Sequence, residues 1–233
     1  MPDYNEYVTG SFDPNWVAVI DESFQDDVFW IGVLLLPDLA ITELQLELDA
    51  IMQRAWKDFG VPADAELHGI DIFHGRADWH KLAPWQRIKV YNWALDAIGR
   101  YGEIIHFTRV DRNVDTMTIA SERTDHASAL LSALSNIQNF ANTGKFDVVV
   151  LADLTPNAPT ITSTISAYRK SNNLNRINSL TFRDSSEDRA IQAIDLVLYL
   201  RQRIASGVDD GKPRVHRTNR RLWDHFANSI KIT

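Results

Sequence analysis

The run Phe146–Ala152 has at its centre Val148-Val149-Val150-Leu151, a core that is apolar without alternation. A strand of this kind buries both of its faces, so it belongs in the middle of a sheet covered on two sides. That requirement demands a chain long enough to build three layers. At 233 residues, with 45% hydrophobic and 24% charged residues, this one meets it as a single large domain.

The rest of the chain supplies strands and helices in the order such a domain needs. Trp16–Ile20 and Val28–Leu36 are apolar and β-branched, and the polar stretch Asp21–Asp27 between them predicts a hairpin. Leu39–Phe59 places Leu44, Leu48, Ile51, Met52, Ala55 and Phe59 at helical spacing and stops at Gly60. Ala63–Trp79 has no period and reads as a loop with broken helical turns, and Pro84 opens a helix reaching about Arg100. Glu103–Asp111 reads as a strand and Asp125–Asn142 as a helix through Leu131, Leu134, Ile137 and Phe140. Thr160–Ser171 is a predicted helix, Ile177–Phe182 a strand, and Asp188–Ser206 a strongly apolar helix. The expected fold is α/β, a mixed central sheet with helices on both faces. Its boundaries are an N-terminal extension over 1–15, the α/β domain over 16–206 and a polar, basic segment over 207–233.

Several chemistries drop out. The chain has no cysteine, which removes disulfides and thiolate-bound metals, so any metal sits on oxygen or imidazole. No phosphate-cradling glycine loop, nucleophile elbow or dinucleotide fingerprint occurs. The N-terminus has no signal-peptide pattern, and apolar runs such as Ile31–Pro37 fall short of the roughly 20 residues that cross a bilayer. The expectation is a cytoplasmic protein with no membrane partner.

What stands out instead is a set of carboxylates in apolar surroundings. Asp21 and Asp153 each close an apolar strand, and ligands in α/β sheets bind beyond the carboxyl ends of strands. An aspartate there also begins turns for purely local reasons. Asp195 lies inside Ala190–Leu200, where burial of an unpaired carboxylate costs several kcal/mol. At about 100° per residue, Gln192 and Asp195 fall roughly 40° and −20° from Asp188, so the three form one polar stripe on an apolar helix. Either a site or a thin solvent edge faces that stripe. Asp184 through Asp188 has capping-box spacing, with Asp188 also within reach of a site. Glu66, His68, Asp71 and His74 crowd nine residues without a standard zinc spacing, and loop hydrogen bonding explains them equally.

Asp21-Glu22-Ser23, then Glu66-Leu67-His68-Gly69, then Ser185 and Ile191-Gln192-Ala193-Ile194-Asp195-Leu196 follow one another in an order that resembles the domain of unknown function 3800 family. The likeness covers about Trp16 to Arg203. It implies a ribonuclease H-like fold and assigns Asp21, Glu66, Asp153 and Asp195 as catalytic, metal-binding carboxylates. Phe24 and Ile194 stand where the family's pattern has glycine and alanine. Four converging carboxylates repel unless cations intervene, and oxygen ligands favour Mg²⁺ or Mn²⁺. Two such ions about 3.5–4 Å apart serve phosphodiester hydrolysis. The expectation is a metal-dependent nuclease, with Glu22, Ser23, His68, Asp188 and Gln192 orienting the ligands.

The net charge of −7 sits awkwardly with a nucleic-acid partner. Between Arg201 and Arg221, however, seven basic residues face two acidic ones, and Arg214, Arg217, Arg220 and Arg221 are the candidate phosphate contacts. Two other classes fit the same residues. One is a catalytically silent ribonuclease H-like binding or regulatory protein, of phage or host-defence origin. The other is a hydrolase of small phosphoesters built on Glu66, His68, Asp71 and His74.

Overall fold

The computed structural model describes residues 15–25, 28–111, 119–154, 162–163, 165–168, 174–207 and 213–233. Its centre is a six-stranded mixed sheet. β1 (Trp16–Gln25) and β2 (Val28–Pro37) pair antiparallel, as do β2 and β3 (Ile104–Asp111). β4 (Val148–Asp153) runs parallel to β1, β5 (Ile177–Arg183) runs parallel to β4, and β6 (Lys231–Ile232) runs parallel to β3. The order is β5-β4-β1-β2-β3-β6.

Alternation along the strands divides the interior into two cores. Val17, Val19, Leu34 and Leu36 face α1 (Asp38–Phe59), α3 (Pro84–Tyr101) and α5 (Arg189–Ala205). Ala18, Ile20, Ile31 and Val33 face α4 (Ile119–Gly144), whose Leu130, Leu134 and Ile137 are buried against them with Ile165. The protein is thus α/β with helices on both faces of a mixed sheet, compatible with the three-layer ribonuclease H-like arrangement expected of it. β4 reports this most directly, since Val148 and Val150 enter one core while Val149 and Leu151 pack on the other.

Local chemistry accounts for the boundaries. Gly60 ends α1 in the left-handed region at φ 78°, which costs glycine nothing. Pro84 opens α3, where its missing N–H is not needed. The stretch 63–79 contains a short helix, α2 (Gly69–His74), and a 3-10 turn at Ala77–Trp79. Of the helix predicted over 160–171, the described residues 162–163 and 165–168 are helical, and its ends lie outside the described residues. Nearly all of the predicted N-terminal extension lies outside them too.

Two differences from expectation matter for the site. The hairpin does not turn at Asp21, because β1 continues to Gln25 with Asp21 opposite Gly32 and Gln25 opposite Val28. Paired strands satisfy the backbone of this polar stretch as well as an apolar one. The segment after Gly207 also folds back onto the domain as α6 (Pro213–Ala227), followed by β6. Val215, Asn219, Leu222 and Phe226 make its inner stripe, and Leu222 and Phe226 join the first core.

Candidate functional site

Strand parity and register bring the sheet carboxylates together. Asp21 is one residue past Ile20, which pairs with Ala152, and Asp153 is one residue past Ala152. The two aspartates therefore end the parallel pairing side by side. Both follow the parity of Val17, Val19, Val149 and Leu151, so they point toward the face covered by α5. Adjacent strands lie about 4.8 Å apart, and Asp153 adds a repulsive contribution at Asp21, smaller than those of Asp195 and Glu22.

α5 reaches that face because Gly32 leaves room for it. A Cβ at Gly32 would stand 3.0 Å from Ile194 Cδ1 and 3.2 Å from Ile194 Cγ1. The bulk of Ile194 thus fills the space over a glycine opposite Asp21. Asp195 is the next residue. Its Oδ2 accepts a 2.6 Å hydrogen bond from the Gly69 N–H at the start of α2. Gly69 is itself a close-approach position, since a Cβ there would lie 2.7 Å from Tyr199 Cβ.

The loop carrying Glu66 is tied to the same helix. Gln192 Oε1 accepts from the Leu67 N–H and from Arg189 Nη1, while Gln192 Nε2 donates to the Ser185 carbonyl. Trp79 Nε1 donates to the Glu66 carbonyl at 3.1 Å. Trp79 is buried and Trp85 is exposed against the edge of Phe59, so of these two Trp85 is the one that offers a surface ring.

The electrostatics follow from this crowding. Burial raises the Asp21 carboxyl well above its ordinary value, and Asp195, Glu22 and Asp153 add repulsion. Burial pushes Asp195 from 3.8 up to about 6, with Glu66 and Asp153 adding to the rise and His68 and the Gly69 N–H opposing it. Asp153 is raised by burial and by Glu22, against hydrogen bonds to its Oδ1 from the Leu154 and Ser185 N–H groups. For His68, burial disfavours the charge, but Asp195, Asp71 and Glu66 outweigh it and hold the imidazole above 6.5. Among the described residues, none of Asp21, Glu66, Asp153 and Asp195 forms an ion pair with lysine or arginine.

The remaining candidates divide. Glu22 acts electrostatically on both Asp21 and Asp153. His68 is paired with Asp71 through a 3.0 Å contact of Nδ1 with Oδ2. Ser23 Oγ donates to Gln202 Oε1. Asp188 is the N-cap of α5, accepting from the Ala190 N–H and Gln45 at Oδ1 and from Arg183 at Oδ2. His74 meets Tyr199, its Nε2 2.9 Å from the phenol oxygen. Arg217, Arg220 and Arg221 are exposed on α6, and the side chain of Arg214 lies outside the described residues. Gly32 and Tyr199 are not among the residues singled out from the sequence. The i, i+4, i+8 spacing of Asp195, Tyr199 and Arg203 was the available signal for the last of them.

The oxygen-rich donor set has the chemistry of a Mg²⁺ or Mn²⁺ site. The arrangement is looser than that chemistry requires: among the described residues, no three His, Asp or Glu side chains are grouped so as to hold an ion. No helix among those residues is long and apolar enough to cross a membrane. No model of a known protein family matches this chain. No curated protein matches it either.

Proposed function

We propose that this protein is a divalent-metal-dependent phosphodiesterase acting on nucleic acid, with Asp21, Glu66, Asp153 and Asp195 as its working carboxylates. The observation that carries this reading is uncompensated charge. Separate elements deliver acids to one face of the sheet, where burial and mutual repulsion raise Asp21, Asp153 and Asp195 without a lysine or arginine ion pair among the described residues. Structural carboxylates are ordinarily paired, as Asp188 is with Arg183. Membership of the domain of unknown function 3800 family is part of the same proposal, supported by the order of the three motifs and by the sheet topology.

A divalent ion among these groups would activate water and offset the charge of the phosphodiester. The chain's own residues prepare for this. The Gly69 N–H fixes the rotamer of Asp195, and the Leu154 and Ser185 N–H groups fix Asp153. Asp71 orients His68, whose affinity for a second proton is raised by Asp195 and Asp71. The exposed Arg217, Arg220 and Arg221 supply phosphate contacts on a protein that is otherwise acidic.

The absence of a three-ligand group among the described residues favours a second reading, a silent ribonuclease H-like binding protein. Calorimetric titration with Mn²⁺ and cleavage assays on RNA, DNA and hybrid strands separate the two. The enzyme reading predicts Mn²⁺ binding and cleavage, both lost in Asp21→Asn. Cleavage unchanged by that substitution, or no Mn²⁺ binding at all, refutes it.

A further inference from the structure

The face of α5 that carries Asp195 continues away from the sheet aspartates. Tyr199 and Arg203 follow at four-residue intervals, so Arg203 lies about 12 Å along the helix axis from Asp195. α2 runs beside this stripe, with Gly69 at Asp195 and with Phe73 and His74 at its far end. Arg203 Nη1 donates to the Tyr199 hydroxyl at 3.2 Å, and its guanidinium lies 4.9 Å from the centre of the Phe73 ring. The two elements that hold the candidate carboxylate thus form, two helical turns on, one wall of a cavity of about 260 Å³. α3 and α6 form the opposite wall.

The cavity has a definite chemistry. Phe73, Ile88 and Val215 give it flat and aliphatic surface. Arg203, only 6% exposed, brings a fixed positive charge, and His74 stands beside it. Asn219 lines the cavity from α6 and is 1% exposed, and its Oδ1 is buried without a hydrogen-bond partner among the described residues. A buried acceptor left unmade costs about 1–3 kcal/mol, which a bound donor would recover. Arg87 adds to the local charge, its Nη1 occupying the space over Gly75 next to His74. A ligand that satisfies all of this carries a flat ring with an N–H donor and an attached anion.

We propose that this cavity is a nucleotide subsite. The base rests against Phe73, Ile88 and Val215 and donates to Asn219 Oδ1, while the phosphate meets Arg203 and His74. The choice of a nucleotide among anionic heterocycles rests on the phosphodiesterase reading of the neighbouring carboxylates. The 12 Å offset corresponds to about three to four steps of a stacked strand at 3.4 Å each, so the subsite would grip the strand away from the bond being cut.

The test is calorimetry on the full chain in EDTA, so that metal chemistry plays no part. The probes are adenosine 5′-monophosphate, adenosine, inorganic phosphate and a short single-stranded oligoadenylate. The monophosphate is expected to bind saturably, and adenosine or phosphate alone about tenfold or more weakly. Asn219→Leu keeps the bulk and removes the acceptor, and is expected to weaken binding about tenfold. Val215→Trp fills the cavity and is expected to abolish binding, with circular dichroism and melting temperature confirming that each variant folds. Oligoadenylate binding at least as tightly as the monophosphate assigns a strand-borne nucleotide, and weaker binding assigns a free one. Failure of the monophosphate to bind, or equal binding to Val215→Trp, overturns the subsite. Asp21→Asn is expected to leave this binding intact, so cleavage without nucleotide binding removes the subsite alone. Nucleotide binding without cleavage removes the phosphodiesterase reading alone.

Discussion

Replacing Asp195 with asparagine isolates the cost of ionising a carboxyl that is buried first and crowded by other acids second. In the folded protein this carboxyl titrates at about 6 rather than 3.8. A folded value raised above the unfolded one means that ionisation opposes folding. Stability from this group is complete below about pH 4 and is lost as pH rises through about 6. A gap of about two units corresponds to about 3 kcal/mol, and the partial contact of Asp195 with water reduces the expected effect to about 1–2 kcal/mol. Asparagine keeps an oxygen for the Gly69 N–H and cannot ionise. Near pH 7.5 and without metal, Asp195→Asn should therefore be more stable than the wild type by about 1–2 kcal/mol, the advantage vanishing toward about pH 4. Urea unfolding followed by tryptophan fluorescence across this range measures it. Added Mn²⁺ should stabilise the wild type and raise the variant much less, since a ligand of the folded state shifts the equilibrium by mass action. A variant less stable near neutral pH, or an advantage independent of pH, would refute the reasoning.

Two further outcomes follow from particular contacts. Gln192→Leu leaves the Leu67 N–H and the Ser185 carbonyl without Gln192, and should cost about 2–4 kcal/mol in thermal or urea unfolding. A loss under about 0.5 kcal/mol would show that these bonds do not anchor the Glu66 loop. Changing Arg217, Arg220 and Arg221 together to glutamine should leave stability unchanged and lower the salt dependence of nucleic-acid affinity by about 2–3 in slope. An unchanged slope would remove α6 as the contact surface.

How much of this was legible in the sequence depended on the range of the interaction involved. Val148–Leu151 announced a doubly buried strand, and Gly60 announced the end of α1, because each signal is local. Asp21 and Asp153, acids closing apolar runs, and Asp195, an acid inside one, stand out for the same reason. The extension of β1 to Gln25 escaped because its polar residues are held by pairing with β2 rather than by their own propensity. α6 read as a basic tail because its apolar stripe of Val215, Leu222 and Phe226 is thin and interrupted by arginines. Gln192 was visible as a polar residue on an apolar helix, but its partner Leu67 is 125 residues away and no spacing rule connects them. Gly69 and Gly32 matter through what is missing from them, which shows only when another element is packed on top.

The fit of Ile194 over Gly32 makes two positions far apart in the chain a single unit of inheritance. Gly32→Ala adds a methyl group 3.0 Å from Ile194 Cδ1, and Ile194→Val deletes that same carbon. Overpacking costs about 1–3 kcal/mol and Ile-to-Val truncation about 0.5–1.5, yet together they conserve volume, so the pair should cost less than the sum. Drift at either position is therefore conditional on the other. A lineage that shed the glycine would have to lighten the isoleucine as well, or let the helix carrying Asp195 lift from the sheet.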